Sequence, residues 1–207
     1  MSKLEQSASL NIAILADEQI AGQAIDLSRQ LAGSYPTQFV LDQERFFPHI
    51  TVYQAHFPLK NIPLIEKVLS EVTSQTNPFD IVMGEFSVRF DTFLFWLSQK
   101  SKDLQALHEQ IVESTNYLRE NLILPHLADV TGMSEADRSD MKNYGALGIG
   151  PRYAPHMTIT RLSNNKDISN VLAQVERRRA IFRVNELILG NLGDHGTVNG
   201  VINTFTL

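Results

Sequence analysis

Two short segments carry the residues best suited to chemistry. Residues 45–52 read Arg-Phe-Phe-Pro-His-Ile-Thr-Val, and residues 152–159 read Arg-Tyr-Ala-Pro-His-Met-Thr-Ile. Arg, Pro, His and Thr coincide, and one aromatic and two apolar positions agree in kind. In an extended strand, residues i and i+2 share a face. His49 and Thr51 therefore point one way and Ile50 and Val52 the other; His156 and Thr158 stand against Met157 and Ile159 in the same manner. Packing under a helix accounts for the apolar face but not for the polar one. Imidazole titrates near neutrality, so of two facing rings one can take a proton and the other give one. Threonine hydroxyls can donate to the non-bridging oxygens of a phosphate. Two imidazoles flanking two hydroxyls are thus equipped to cleave a phosphodiester with side chains alone, each proton-transfer role contributing about 10²–10⁴-fold in rate.

His49-Ile50-Thr51-Val52 and His156-Met157-Thr158-Ile159 resemble the paired H-x-T/S-x motifs of the two-histidine (2H) phosphoesterase superfamily. That group includes RNA 2′,3′-cyclic phosphodiesterases and 2′-5′ RNA ligase-like proteins. Chain length, the repeat and the motif spacing are also similar to it. The resemblance implies a pseudo-symmetric α+β fold with a central cleft. It further implies His49 and His156 as acid and base, and Thr51 and Thr158 as phosphate ligands. The leading expectation is hydrolysis of a nucleotide or RNA phosphodiester, a 2′,3′-cyclic phosphate or a 2′-5′ linkage. The alternatives are a phosphodiesterase for another small cyclic phosphate and a non-catalytic module that holds RNA ends or nucleotides. A pure binder has no need of two titrating bases, which favours the enzyme.

Other residues are candidates by position. Arg45 and Arg152 each precede a motif histidine by four residues, so they either draw phosphate to the groove rim or pair with nearby carboxylates. Tyr53 and Thr160 have the parity of the catalytic face and would line the groove. Arg161 has the opposite parity unless the strand bulges. Phe46, Phe47 and Tyr153 either stack on a base or belong to the core. A third H-x-T, at His195-Gly196-Thr197, has turn-like surroundings and lacks the preceding proline, so it reads as a loop. His56, His108 and His126 have no partner in the repeat and read as structural or surface residues. Arg177-Arg178-Arg179 suits the C-terminal end of a helix. Two histidines with no third ligand at suitable spacing predict no metal site, and no cofactor is implied.

Positioning this face requires strands, and each motif copy is followed by the same pattern. Lys60–Glu71 has helical apolar spacing with Asn61 as its cap and Pro63 in its first turn; Asp167 caps a second helix bearing Ile168, Val171 and Leu172. A β-like stretch follows each helix, Phe79–Arg89 in one half and Ala180–Leu189 in the other. Leu10–Ala16 reads as a strand, Asp17 as the cap of a helix ending near Gly33, and Phe93–Leu97 as a strand paired with the one before it. A longer helix spans Leu104–Leu122. Residues 125–151 read as an irregular insertion with one short helix, a lid or an inter-lobe linker. The expected architecture is α+β: a single bilobal domain over residues 1–207, with motif-bearing repeats at about 45–98 and 152–207. Two antiparallel sheets would surround a central cleft, with helices on their outer faces.

Composition limits the partners. The 207 residues are 43% hydrophobic and 20% charged, as in soluble globular proteins. A net charge of −5 excludes a long basic nucleic-acid footprint but leaves room for a local pocket that holds a nucleotide or an RNA end. No apolar run has the roughly 20 residues of a membrane helix, and the first residues lack the apolar core of a signal peptide. The chain has no cysteine, so disulfides and thiolate chemistry are excluded and a reducing cytoplasm fits best. The sequence does not fix an oligomeric state.

Overall fold

The structure is a computed structural model and describes residues 6–128, 130–175 and 179–207. Arg177 and Arg178 of the basic run lie outside the described residues. In chain order the elements are β1 (Ser7–Leu15), α1 (Glu18–Ser34), β2 (His49–Pro58), α2 (Ile62–Ser74), β3 (Phe79–Arg89), β4 (Phe93–Ser98), α3 (Lys102–Thr115), α4 (Glu135–Tyr144), β5 (His156–Arg161), α5 (Ile168–Gln174), β6 (Ala180–Val184), β7 (Glu186–Leu192) and β8 (Val198–Thr206). Short 3₁₀ turns join several of them.

Local chemistry explains most boundaries. The Asp17 carboxylate accepts the Ile20 N–H at 2.8 Å and so starts α1, satisfying one of the orphan donors of a first turn. Ser101 does the same for α3 through Leu104. Asn61 differs from expectation. It stands at the N-cap of α2 but turns its buried amide inward, donating to the Leu118 carbonyl at 2.7 Å. Asp167 likewise makes no side-chain cap bond to α5. Helix α4 stops at Gly145. Its φ is 68°, and a Cβ there would come within 2.6 Å of the Leu122 carbonyl oxygen, so the position admits only glycine.

The strands form one eight-stranded antiparallel sheet in the order β6-β3-β4-β5-β2-β1-β7-β8. It divides naturally into two halves of four strands. The first is β2-β1-β7-β8 and the second β5-β4-β3-β6, with the motif strands β2 and β5 facing one another at the seam. The registered pair of Ile50 with Met157 joins them. The α+β architecture therefore stands, and the two expected sheets are halves of one. Approximate two-fold symmetry extends to the helices: α1, which follows β1, packs on β5, and α3, which follows β4, packs on β2. Apolar side chains such as Trp96, Phe57, Leu10, Ile12, Ile50 and Met83 are fully buried beneath, each worth about 1.5–3 kcal/mol of transfer free energy.

The stretch Ala180–Leu189 is not one strand. It breaks at Asn185 into β6, which pairs with β3, and β7, which pairs with β1 on the far side of the sheet. The expected repeats at 45–98 and 152–207 accordingly each run across the seam. The insertion 125–151 is tied down. Asp140 accepts the Gly148 and Ile149 N–H groups, and Arg119 donates to the carbonyls of Lys142 and Asn143. The Arg119 contacts tie it to the rest of the fold.

Candidate active site

Both motif histidines are held by the same device. Proline has no N–H and a fixed φ, and Pro48 and Pro155 place the carbonyl two residues before each histidine beside its ring. His49 Nδ1 lies 2.7 Å from the Phe47 carbonyl and His156 Nδ1 2.8 Å from that of Ala154. A carbonyl only accepts, so each Nδ1 is an N–H donor and each Nε2 is the nitrogen left for chemistry. The prolines' own carbonyls are closed into the sheet in parallel fashion, accepting from Ala16 N at 3.2 Å and Ser98 N at 3.0 Å. Counting one step from the pair of Ile50 with Met157 sets His49 across from Thr158 and Thr51 across from His156. The two rings and the two hydroxyls occupy opposite diagonals of one sheet face.

A bulge follows each motif at the same place. On β2 the register passes from Thr51 opposite Ala13 to Tyr53 opposite Ile12. On β5 it passes from Thr158 opposite Phe95 to Thr160 opposite Leu94. Each bulge inserts one residue, Val52 or Ile159, and reverses parity beyond it. Three expectations change as a result. Tyr53 does not line the groove; it is buried, and its hydroxyl donates to the Tyr144 carbonyl at 2.7 Å. Thr160 is also buried, donating to the Phe39 carbonyl at 3.0 Å. Arg161 instead joins the catalytic face, with its guanidinium carbon 4.8 Å above the Phe93 ring. The sequence contained no sign of the bulge.

The arginines before the motifs separate. Arg152 is bound to carboxylates of α4, to Asp140 at 3.0 Å and to Asp137, which removes it as a phosphate ligand. Arg45 is exposed beside a cavity next to the groove. Among the aromatic candidates, Tyr153 is core: it stacks on buried His108 at 4.0 Å and donates to the Thr51 carbonyl at 2.8 Å, which braces one motif against the other. Phe47 packs beside Ala13, Ile188 and Val198, and Phe46 borders the cavity. His56 is bracketed by Ser7 and Ser9 on β1.

Sequence reasoning missed two residues. Asn11 on β1 is fully buried, and its amide nitrogen lies 3.0 Å from Thr51 Oγ1 and 3.4 Å from His49 Nε2. Its Oδ1 has no hydrogen-bond partner among the described residues. By donating to Thr51 it leaves that hydroxyl's proton for a ligand. Its signal was only a polar residue inside the apolar run Leu10–Ala16. Phe95 stacks on His156 with ring centres 3.8 Å apart. His195 does sit in a turn, yet it is adjacent to the site: Arg161 Nη1 donates to its Nδ1 at 2.9 Å, and the carbonyl of its neighbour Gly196 acts on His49.

Electrostatics distinguish the rings. Burial lowers His49 to about 4, aided by the nearby His156 and opposed by the carbonyls of Phe47 and Gly196. His156 is also lowered by burial, with Arg89 adding to the effect and the Ala154 carbonyl opposing it. The Phe95 face favours an imidazolium, whereas the Asn11 amide beside His49 favours the neutral ring. Among the described residues, no group of three or more His, Asp or Glu could hold a metal ion. No helix among them is long and apolar enough to cross a membrane.

Proteins of known structure share the fold, although a search of curated protein sequences gives no match. TT0787 of Thermus thermophilus superposes with a TM-score of 0.62 at 13% identity, over 96% of this chain and 97% of that one. Escherichia coli LigT complexed with phosphate gives 0.57 at 13%, over 98% of each. The MHV ns2 PDE domain gives 0.53 at 14%, over 90% of this chain and 99% of that one. The family model of the 2′-5′ RNA ligase superfamily matches residues 23–196, a span that holds both motifs and the bulge after each. The chain belongs to that superfamily, the two-histidine phosphoesterases, and phosphoesterase-type chemistry is the activity its membership supports.

Proposed function

We propose that the protein hydrolyses a nucleotide or RNA phosphodiester, a 2′,3′-cyclic phosphate or a 2′-5′ linkage, with His49 as general base and His156 as general acid. The observation that carries this reading is the duplicated Nδ1–carbonyl clamp, which leaves two Nε2 atoms at diagonal corners of one face. His49 Nε2 takes a proton from water as the water oxygen bonds to phosphorus. The bond from phosphorus to a ribose oxygen breaks on the opposite side, and His156 Nε2 protonates that oxygen. Thr51, Thr158 and Arg161 hold the non-bridging oxygens, where developing charge is stabilised. Crystal structures of LigT complexed with 3′-AMP and with phosphate add support for a nucleotide ligand. The chain has no cysteine, which suits a reducing, cytoplasmic setting.

The test is turnover of 2′,3′-cyclic mononucleotides, cyclic-phosphate-ended oligonucleotides and 2′-5′ dinucleotides after exhaustive chelation, followed across pH. Turnover should survive chelation. The kcat/KM profile should be a bell displaced to the acid side. Activity falls at low pH as His49 is protonated near 4, and at higher pH as His156 loses its proton below the ordinary imidazole value of 6.5. Tight nucleotide binding without turnover of any substrate would establish the binding-module reading instead.

A further inference from the structure

Beside the histidine groove lies a cavity of about 330 Å³, lined among others by Phe39, Phe46, His195, Arg45, Gln38 and Asn199. That volume is within the ~300–1,000 Å³ of small-molecule sites. Its aromatic surface is fixed in place. Phe39 forms the buried floor, its carbonyl held by Thr160. Its ring is stacked with Phe46 at 5.6 Å and with His195 at 6.0 Å. The loop bearing Arg45 and Phe46 is shaped by Asp42, whose carboxylate accepts the N–H groups of Glu44, Arg45 and Phe46. His195 is held at a φ of 63°, a conformation costly for a residue with a side chain and found where surroundings over-determine it.

His195 is also the wall shared with the groove. It accepts from Arg161 on the groove side and meets the Phe93 edge at 6.5 Å. There Phe93 and the exposed Phe90 form a second aromatic surface. Phe90 and Phe93, the latter carrying the Arg161 guanidinium on its ring, therefore stand on one side of His195 and the rings of the cavity on the other. A nucleobase offers a stacking face and a hydrogen-bonding edge, and the cavity answers with aromatic walls and with Asn199 among its polar lining residues. Arg45 adds a cation at its edge.

We propose that this cavity is a second base subsite. It takes a nucleobase of the substrate on the His195 side of Arg161. The proposal rests on the phosphodiesterase reading above and names a part of the substrate which that reading leaves open.

The test compares a 2′-5′-linked dinucleoside monophosphate with the same first nucleoside carrying a methyl phosphate ester, which lacks the second base. The wild-type protein should favour the dinucleoside in kcat/KM by about tenfold or more, the effect of one stacked base. Phe46→Leu, which keeps apolar volume but removes the ring, and Asn199→Ala should each erase most of that preference while leaving the methyl ester unaffected. Equal kcat/KM for the two substrates in the wild type, or variants that lower both alike, would overturn the subsite. If neither diester is hydrolysed, turnover of the 2′,3′-cyclic phosphates decides the phosphodiesterase reading separately, and equilibrium binding decides the subsite. Tighter binding of the dinucleoside than of the methyl ester, abolished by Phe46→Leu, upholds it; equal binding refutes it.

Discussion

The two motif copies share a backbone and differ in what surrounds it. Proline, carbonyl clamp and bulge recur at the same positions, so the placement of each Nε2 is a property of the repeated segment. The neighbours contributed by the adjoining strand are not repeated. Across from the first copy β1 supplies Ala13 and Asn11; across from the second, β4 supplies Phe95 and Phe93 at the corresponding places. Beyond the bulges, Gln54 occupies on β2 the position that Arg161 has on β5. One ring is thus set against an amide donor and the other against an aromatic face with a cation nearby. A repeated scaffold gives its two rings different surroundings, as the proposed pairing of an acid with a base requires.

That contrast can be broken most severely at the rings themselves. His49→Ala and His156→Ala should each lower kcat by about 10²–10⁴-fold with the fold intact by circular dichroism. Each should also abolish a different limb of the pH profile, the acid limb for His49 and the alkaline limb for His156. Loss of the same limb in both variants would show that the two copies are not differentiated. Next in size is Arg161→Ala, expected to cost about 10²-fold through loss of a charged donor to phosphate, against less than about threefold for Gln54→Ala. Comparable losses would mean that the bulge does not confer the asymmetry.

The smallest expected effect belongs to Asn11→Ala, about tenfold in kcat for loss of one positioned hydrogen bond. Its informative readout is the acid limb. Removing a donor to His49 Nε2 eases protonation of that ring, so the limb should move to higher pH. An unmoved limb with reduced rate would limit Asn11 to holding Thr51.

Much of this was legible in the sequence because it depends on short-range pattern. His49, Thr51, His156 and Thr158 follow from two-residue periodicity and duplication, and α1 from its Asp17 cap. The failures share a cause. Tyr53, Thr160 and Arg161 were assigned by unbroken alternation, and the bulge that shifts them is defined by pairing with another strand. Arg152 resembled Arg45 in the repeat, but its partners Asp137 and Asp140 come from an insertion with no counterpart in the first copy. Asn61 had cap chemistry and an attractive tertiary acceptor, and the acceptor won. Asn11 and Phe95 are functional neighbours only through strand order, which no local pattern encodes.

The strand order also governs how the molecule is made. Strand β1 has β2 on one side and β7 on the other, with Leu10 opposite Asn191. During synthesis the first half of the sheet therefore waits, one apolar edge unpaired, until β7 and β8 have emerged, while the continuous segment from β3 to β6 already holds all four strands of the second. Such distant pairings make folding slow and leave an exposed edge prone to association in the meantime. The Gly196 carbonyl that acts on His49 arrives with that last stretch of chain, so the surroundings of this ring are completed only as the sheet closes.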